Sequence, residues 1–311
     1  MQLTDFISIN DLTISQFEEI ISFAEKLKKN PKRYHQALEG KILAMIFEKP
    51  SLRTRVTFEV GMLQLGGEAV YLSPSDIQIG KRESVADVAR NLERWVDGII
   101  IRTFAHQNVI DLAKNTQIPV INGLSDLLHP CQSMADFLTL KEKKGILEGL
   151  KLAYIGDGNN VAHSLIFASS KCGANISIAS PPGYEPKKEI IDLAKKEADK
   201  FGSYIKLTHN PEEAVLEADA VYTDVWASMG QEQEREKRLK IFPPYQVNRK
   251  LMSAAKKDAI FMHCLPAHRG EEVTDEVIDS PQSVVLDQTE NRLHAQKAIM
   301  ILLMCEESKI K

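Results

Sequence analysis

Short apolar runs, each bounded by polar or small residues, recur along the chain and predict buried strands. They lie at residues 42–47, 98–101, 118–121, 151–155, 175–179, 205–208, 220–223, 259–262 and 284–286. Between them, apolar residues recur at the spacing of three and four that is typical of amphipathic helices. The predicted helices span residues 53–65, 85–96, 133–144, 162–172, 186–201, 211–217, 245–256 and 291–307.

Strands that alternate with helices are typical of an α/β protein with parallel sheets. We therefore predict two doubly wound parallel-sheet domains, residues 1–140 and 150–285, in a chain of 311 residues. The helix predicted at 133–144 runs from one domain to the other. The C-terminal segment, residues 290–311, has a helix with no strand after it and is expected to return to the first domain.

The composition is that of a globular protein and argues against nucleic-acid-binding and membrane-spanning classes. Hydrophobic residues make up 43% of the chain and charged residues 26%, the ordinary balance of a globular protein. A net charge of −4 supplies no basic field, so no nucleic-acid partner is expected. No apolar run reaches the roughly 18–20 residues that span a bilayer, and the first residues lack the pattern of a secretory signal.

The cysteines point to a reducing compartment. They show neither CxxC pairing nor metal-ligand spacing, so free thiols and a cytoplasmic protein without a metal are expected. They are Cys131, Cys172, Cys264 and Cys305.

The stretch Ser51–Arg55 follows a predicted buried strand and opens a helix. Ser51 is a good N-cap, and the free N–H groups of a first helical turn can bind an anion. Thr54 adds a hydroxyl group. Arg53 and Arg55 lie on different helix faces, so only one of them is expected to reach the anion. The alternative is a capped helix with two solvated arginines.

Two further segments support a site in the first half. Arg102 stands at the end of an apolar run, either in a ligand crevice or paired with a carboxylate. His129 and Gln132 follow a strand and precede a helix, where they can polarise and orient a carbonyl or amide group. The alternative for His129 is a structural role in a turn.

In the second half, Asp224 and Cys264 each follow a predicted strand of one sheet. Ligands bind at the carboxyl ends of parallel strands, so Asp224, Cys264 and the nearby Ser228 are expected to converge. A neighbouring carboxylate raises the pKa of a thiol, which argues against a cysteine nucleophile and favours holding an amine. The charged stretch at 231–240 is either a closing lid or an exposed loop.

Residues 156–161 begin like a dinucleotide-binding loop, but Val161 replaces the third glycine and no acidic residue ends the next strand. Asn159 and Asn160 at the helix start can instead bind a carboxylate. Arg292 is predicted near a helix N-terminus, which is unfavourable for a cation and hints at function. The alternative is a salt bridge to Glu290 or Asp287.

Taken together and in order, these segments resemble the aspartate/ornithine carbamoyltransferase family, and within it the enzymes that act on ornithine. The resemblance covers essentially the whole chain. Two departures stand out: Leu52 and Cys131 occupy positions where the family has threonine. We expect both to be tolerated, because position 52 serves through its backbone and Cys131 is small. The matching segments are 47–55, Arg102, 129–132, 156–160, 224–230, 263–270 and 290–292.

The resemblance implies transfer of the carbamoyl group from carbamoyl phosphate to the δ-amine of L-ornithine, giving citrulline and phosphate. It implies direct attack by the amine, without cofactor or metal. The first domain would bind carbamoyl phosphate and the second ornithine. The family also implies a homotrimer, or a multiple of trimers, in which Gln78 of a neighbouring subunit completes each carbamoyl phosphate site.

The same resemblance assigns the site residues. The catalytic residues would be Arg53, Arg102, His129, Asp224 and Cys264. Carbamoyl phosphate would be bound by Ser51, Leu52, Arg53, Thr54, Gln78, Arg102, His129, Pro130, Cys131, Gln132, Cys264, Leu265 and Arg292. Ornithine would be bound by Asn160, Asp224, Ser228 and Met229.

Other substrates of this family are putrescine, N-acetylornithine and aspartate. Ornithine is favoured over a diamine by the segment Ser228–Gly230 after Asp224, because a diamine has no α-carboxylate to bind. The Cys264 segment argues against aspartate as the substrate. A different class of alternative is a non-catalytic α/β protein that binds phosphate or an amino acid. Both the biosynthetic and the catabolic direction of arginine metabolism fit the sequence.

Overall fold

A computed structural model describes residues 3–80, 82–228, 230 and 232–305. The chain forms two compact units. The first unit combines the residues up to Leu138 with those from Glu290 onward, and the second unit comprises Thr139–Thr289. None of the helices within the described residues has the length and apolar character needed to cross a membrane.

The first unit is built on a parallel sheet of four strands in the order β2-β1-β3-β4. All of these strands except β2 are buried along nearly their whole length, as expected where helices cover both faces of a sheet. Phe47 at the end of β1 lies beside Arg102 at the end of β3, so the segments that follow start level with each other. The strands are β1 (Ile42–Phe47), β2 (Glu68–Leu72), β3 (Gly98–Arg102) and β4 (Val120–Leu124).

The second unit contains a parallel sheet of five strands in the order β7-β6-β5-β8-β9. The strand order reverses between β5 and β8, which is where an open α/β sheet forms a crevice for ligands. Ile155, Thr223 and His263 are register partners across β5, β8 and β9, so the residues after them share one edge. The strands are β5 (Lys151–Ile155), β6 (Asn175–Ala179), β7 (Ile205–Thr208), β8 (Ala220–Thr223) and β9 (Ile260–His263).

Helices connect the strands, and their apolar sides form the core of each unit. They are α1 (Ile14–Lys29), α2 (Leu52–Gln64), α3 (Pro74–Ile77), α4 (Val85–Leu92), α5 (His106–Lys114), α6 (Pro130–Lys144), α7 (Asn160–Lys171), α8 (Lys188–Phe201), α9 (Pro211–Val215), α10 (Arg235–Ile241), α11 (Arg249–Met252), α12 (Asp275–Ile278) and α13 (Val285–Met304). The predicted α/β class with two parallel sheets, and the return of the C-terminal helix to the first unit, are confirmed.

One predicted strand is wrong. Residues 284–286 do not form a strand, because Val285 is the first residue of α13. Val284 donates its N–H to the carbonyl of Phe261 at 3.0 Å, so this apolar stretch covers the edge of the sheet without extending it. The side chains of Val284 and Val285 are buried, which explains why the run resembles a strand.

A second difference concerns β4, which starts at Val120 and ends at Leu124, later than the predicted 118–121. The polar Asn122 and the small Gly123 interrupt the apolar pattern, yet both are buried. The prediction also missed β2 and the helices α1, α3, α5, α10 and α12. Strand β2 lies at the edge of its sheet and is only partly buried, so it lacks a continuous apolar run.

Candidate active site

The start of α2 has the capped helical geometry that was predicted for an anion-binding element in the first unit. Ser51 has an extended backbone, and its hydroxyl oxygen accepts the N–H of Thr54 at 3.2 Å. Thr54 is buried, whereas the Leu52 side chain is 72% exposed, so a role for Leu52 would rest on its backbone. The N–H groups of this first turn have no acceptor within the helix and carry partial positive charge.

The structure distinguishes the two arginines of this turn. The Arg55 guanidinium lies 3.8 Å from the centroid of the Tyr71 ring and 3.7 Å from the Glu59 carboxylate. Arg55 is therefore held against β2 and its own helix. Arg53, which is partly buried, is thus the candidate anion ligand of the pair.

Glu48 fixes the end of β3 beside this turn. Its carboxylate accepts hydrogen bonds from the Thr103 hydroxyl and, at 3.3 Å, from the Phe104 N–H. Its backbone N–H donates to the Arg102 carbonyl at 2.8 Å. The Lys49 ammonium lies 4.0 Å from the centroid of the Phe104 ring. These contacts hold the chain on both sides of the buried Arg102.

Arg292 links three helices within the first unit, and its side chain is only 2% exposed. Its Nη1 donates to Gln132 Oε1 in α6 at 2.6 Å, and its Nη2 donates to Thr54 Oγ1 in α2 at 3.0 Å. With the amide oxygen of Gln296 turned towards it, Arg292 also donates from Nε at 3.1 Å. Asp136 accepts from Gln132 Nε2 at 2.8 Å, which leaves the Gln132 oxygen facing Arg292.

The expected position of Arg292 at a helix N-terminus is wrong. Because α13 begins at Val285, Arg292 lies well inside the helix and the unfavourable dipole contact does not arise. The acidic residues named as alternative partners have other cations: Glu290 lies 3.5 Å from Lys28, and Asp287 lies 2.8 Å from Lys143.

His129 stands in the field of this arginine cluster. Complete burial and the positive charges of Arg292, Arg102 and Arg53 hold the pKa of His129 well below its usual value. The imidazole is therefore neutral at physiological pH. A neutral ring still offers one N–H donor, and the surrounding guanidinium groups favour an anion beside it.

The remaining predicted site residues of the first unit are Pro130, Cys131 and Gln78. Pro130 is the first residue of α6 and is buried. The Cys131 thiol donates to the Asn122 carbonyl at 3.3 Å, and burial raises its pKa to about 12. A role for Cys131 in binding would therefore rest on its backbone. Gln78 is exposed and follows α3 in the left-handed conformation, with φ of 42°.

In the second unit, Asp224 and Cys264 meet as predicted from their strands. The Cys264 thiol donates to Asp224 Oδ1 at 3.0 Å. Asn159 Nδ2 donates to Asp224 Oδ2 at 2.8 Å, and the Asn159 oxygen caps α7 by accepting the N–H groups of Val161 and Ala162. Each carboxylate oxygen has two acceptor positions, so Asp224 retains capacity for an ammonium group.

The surroundings of this pair are acidic. Burial raises the pKa of Tyr154 well above its usual value, and the nearby charges of Asp224, Asp157 and Glu272 act in the same direction. The Tyr154 hydroxyl donates to the Asp157 carbonyl at 2.9 Å. A negative field of this kind suits a cationic ligand.

Arg238 compensates part of that negative charge. Its Nη1 donates to the Trp226 carbonyl at 2.6 Å and lies 2.8 Å from Asp157 Oδ2. Its Nε donates to Glu234 at 3.0 Å, and its guanidinium lies 4.8 Å from the centroid of the Tyr184 ring. Arg238 thus ties the segment after β8 to the turn after β5.

The remaining predicted residues lie close to these groups in sequence. Asn160 is the first residue of α7, and Ser228 follows the bend after β8; both are partly buried. Leu265 follows Cys264 with φ of 57°. Met229 lies outside the described residues. Gly158 approaches Pro186 so closely that a Cβ atom there would lie 2.1 Å from the Pro186 nitrogen.

Asp224, His263 and Cys264 offer ligand atoms within 4.8 Å of one another. Both ring nitrogens of His263 take part in hydrogen bonds, with the Leu265 N–H and with Glu272. A metal at this position would have to displace one of them, and we assign none. The other group of this kind within the described ranges consists of His268, Glu271 and Glu272.

Sequence reasoning assigned no role to several residues that shape these sites. Glu48 and His263 lie at or directly after strand ends, the same signal that singled out Arg102 and Cys264. Arg238 gave no signal, because it lies in a charged stretch that resembles a solvated surface.

The fold and the two sets of side chains define an α/β protein suited to an anion on the first unit and to a cation on the second. The family model for the aspartate/ornithine carbamoyltransferase carbamoyl-P binding domain matches residues 4–142. The model for the Asp/Orn binding domain of the same family matches residues 148–303. The chain belongs to the aspartate/ornithine carbamoyltransferase family, which confirms the resemblance inferred from the sequence.

Individual relatives support this family assignment. The ornithine carbamoyltransferase of Thermococcus kodakarensis is 58% identical over 302 residues, and the alignment covers 96% of both chains. The solved structure of ornithine carbamoyltransferase from Pyrococcus furiosus is 55% identical, with a TM-score of 0.95 and 98% of each chain covered. That of anabolic ornithine carbamoyltransferase from Campylobacter jejuni is 39% identical, with a TM-score of 0.93 over 97% of this chain and 99% of that one.

The Asp157–Arg238 contact predicts a dependence of stability on pH. Burial raises the pKa of Asp157 to about 6, although Arg238 opposes the shift. The native state therefore keeps a proton that the unfolded state has already lost, and the free energy of unfolding falls as pH rises. Between pH 5 and 7 the titration of Asp157 should lower the free energy of unfolding by about 1 kcal/mol. The Asp157→Asn variant should not show this loss.

Urea unfolding of both proteins at the two pH values measures this difference. Asp192→Asn, at an exposed carboxylate on α8, is the control and should keep the wild-type pH dependence. A wild-type protein that becomes more stable relative to Asp157→Asn as pH rises would contradict the assignment.

Proposed function

We propose that this protein transfers the carbamoyl group of carbamoyl phosphate to the δ-amine of L-ornithine, giving citrulline and phosphate. The observation that carries the proposal is the match of both units to the two domains of one carbamoyltransferase family. Relatives named ornithine carbamoyltransferase are 55–58% identical over about the whole chain.

We assign carbamoyl phosphate to the first unit. The site offers several donors suited to a phosphate. They are the N–H groups of the first turn of α2, the Thr54 hydroxyl, Arg53 and Arg102. Arg292, held in place by Gln132 and Thr54, would add donors at the carbamoyl end. The predicted roles of Ser51, Leu52, Pro130, Cys131 and Gln132 in this site belong to the same proposal.

The neutral His129 would donate its ring N–H to the carbamoyl oxygen. Negative charge develops on that oxygen during attack, and a donor already in place stabilises it without reorganisation. The arginine cluster would stabilise the departing phosphate in the same way. A neutral imidazole suits this role, because its pKa lies well below neutral pH.

We assign ornithine to the second unit, with Asn160, Asp224, Ser228 and Met229 as its ligands. Asp224 would accept hydrogen bonds from an ammonium group within the acidic surroundings of Tyr154. The Cys264 thiol donates to Asp224, so it carries its proton and is a poor nucleophile. This supports direct attack by the δ-amine, with Cys264 and Leu265 orienting the reacting groups.

The assembly and context of the enzyme are part of the proposal. A homotrimer, in which the exposed Gln78 reaches a neighbouring site, follows from the family resemblance. We place the enzyme in the cytoplasm, as expected from its cysteines, and in arginine biosynthesis. The biosynthetic direction agrees with a relative from Pyrococcus furiosus that is named anabolic and is 55% identical.

The reaction itself is the first test. Purified protein should form citrulline from carbamoyl phosphate and L-ornithine without added metal, as measured in a colour assay. Putrescine, N-acetylornithine and aspartate serve as competing acceptors. Faster turnover of any of these than of ornithine would overturn the substrate assignment.

Arg53→Ala tests the anion site. Loss of a guanidinium paired with phosphate should cost about 2–5 kcal/mol of transition-state stabilisation, or about 30- to 5,000-fold in kcat/KM. Arg55→Ala is the matched control, because Arg55 lies in the same turn but is held by Tyr71 and Glu59. Equal losses in the two variants would exclude the assignment of the anion to Arg53.

A shared site predicts complementation between subunits. Arg53→Ala and Gln78→Ala homotrimers should each be impaired, whereas mixed trimers contain some sites with both native residues. Mixing the two proteins should therefore restore activity, measured as citrulline formed per subunit. No recovery, although mass spectrometry shows that subunits have exchanged, would count against a Gln78 contribution from the neighbour.

A further inference from the structure

We infer that His263, held by Glu272, is a positioning residue that fixes the turn presenting Cys264 to the substrate amine. The inference rests on the proposed function and extends it to a residue that does not touch substrate. His263 is the last residue of β9, and both His263 and Glu272 are 0% exposed.

The hydrogen bonds of His263 define its protonation. Its Nδ1 lies 2.8 Å from the Leu265 nitrogen and accepts that N–H, so Nδ1 carries no proton. The ring proton is then on Nε2, which donates to Glu272 Oε1 at 3.1 Å. The ring is used at both nitrogens and cannot serve as an acid or base for the substrate without breaking one of these bonds.

The turn that His263 holds is conformationally demanding. Leu265 has φ of 57°, in the left-handed region that costs a branched side chain about 1 kcal/mol or more. Pro266 follows and has no N–H to stabilise the turn. The bond from Leu265 to His263 therefore opposes relaxation of the backbone on either side of Cys264.

The same buried pair anchors the far end of the loop. Glu272 Oε1 also accepts the N–H of His268 at 2.6 Å. The loop from Cys264 to His268 is thus fixed at Leu265 by His263 and at His268 by Glu272. The His263 N–H donates to Gln288 Oε1 at 3.0 Å, which holds the strand end from which the loop departs.

This arrangement has a consequence for the thiol. Cys264 lies between His263 and Leu265, so the turn sets the direction of its side chain. In that direction the thiol reaches Asp224 Oδ1 at 3.0 Å. Loss of the Leu265 bond should release the thiol from Asp224 and disorganise the proposed ornithine site, while the carbamoyl phosphate residues of the first unit stay unchanged.

Two variants separate the two bonds of His263. In His263→Asn the amide oxygen occupies the Nδ1 position and can accept the Leu265 N–H, but the bond to Glu272 is lost. In His263→Gln the amide reaches the Nε2 position and can donate to Glu272, but the Leu265 bond is lost. Each variant loses one buried hydrogen bond, and urea unfolding measures the loss of stability in each, which should be larger in His263→Asn because the bond to a buried carboxylate is lost.

Kinetics then give the first readout. The ornithine KM should rise about tenfold or more in His263→Gln and clearly less in His263→Asn, with similar carbamoyl phosphate binding in both. In a Cys264→Ala background, His263→Gln should add little further change, because its effect passes through Cys264. Equal KM values in the two variants, or an undiminished effect in the Cys264→Ala background, would overturn the inference.

Thiol chemistry gives a second readout that does not depend on the reaction. Cys264 is partly exposed, whereas Cys131, Cys172 and Cys305 are buried. A thiol reagent should therefore modify Cys264 first, and faster in His263→Gln than in His263→Asn or wild type. Equal rates would contradict the inference even if the wild-type protein made no citrulline, whereas a wild type inactive with ornithine would refute only the proposed function.

Discussion

The buried guanidinium of Arg292 is the constraint on which the first unit depends. Removing such a charge from water costs several kcal/mol unless its donors find acceptors. Here Gln132, Thr54 and Gln296 supply them, so α6, α2 and α13 must pack with their polar side chains facing one point. The result is a cluster of positive charge in the first unit that also holds the pKa of the nearby His129 well below its usual value.

The second unit shows the opposite electrostatic arrangement, built by the same means. Asp224 is positioned by Asn159 and Cys264, and Asp157 is positioned by Arg238. Burial raises the pKa of Asp157 to about 6, which shows that its charge is costly in the native state. One unit thus carries preformed positive charge and the other negative charge, which matches a phosphate-bearing donor and an amine acceptor.

Local features of the fold could be predicted from the sequence, whereas features that depend on contacts between distant parts of the chain could not. The strand at 151–155 was predicted with its observed bounds, because buried parallel strands are continuous apolar runs. The run at 284–286 was misread, because apolar residues that cover a core edge look the same in helix and strand. The partners of Arg292 lie 160 and 238 positions away in the chain, so no local pattern could identify them.

Two residues near the second site have physical states that no local sequence pattern predicts. Burial disfavours the ionisation of Asp157 and raises its pKa to about 6, and Leu265 has a backbone conformation that its side chain disfavours. Each departs from local preference and is maintained by a buried partner, Arg238 in the first case and His263 in the second. Such departures lower stability, so they persist where the surrounding packing enforces them and where the geometry they create is used. Both residues flank the Asp224–Cys264 pair. At this edge of the second sheet the protein therefore accepts a lower stability, and the geometry of the site is fixed.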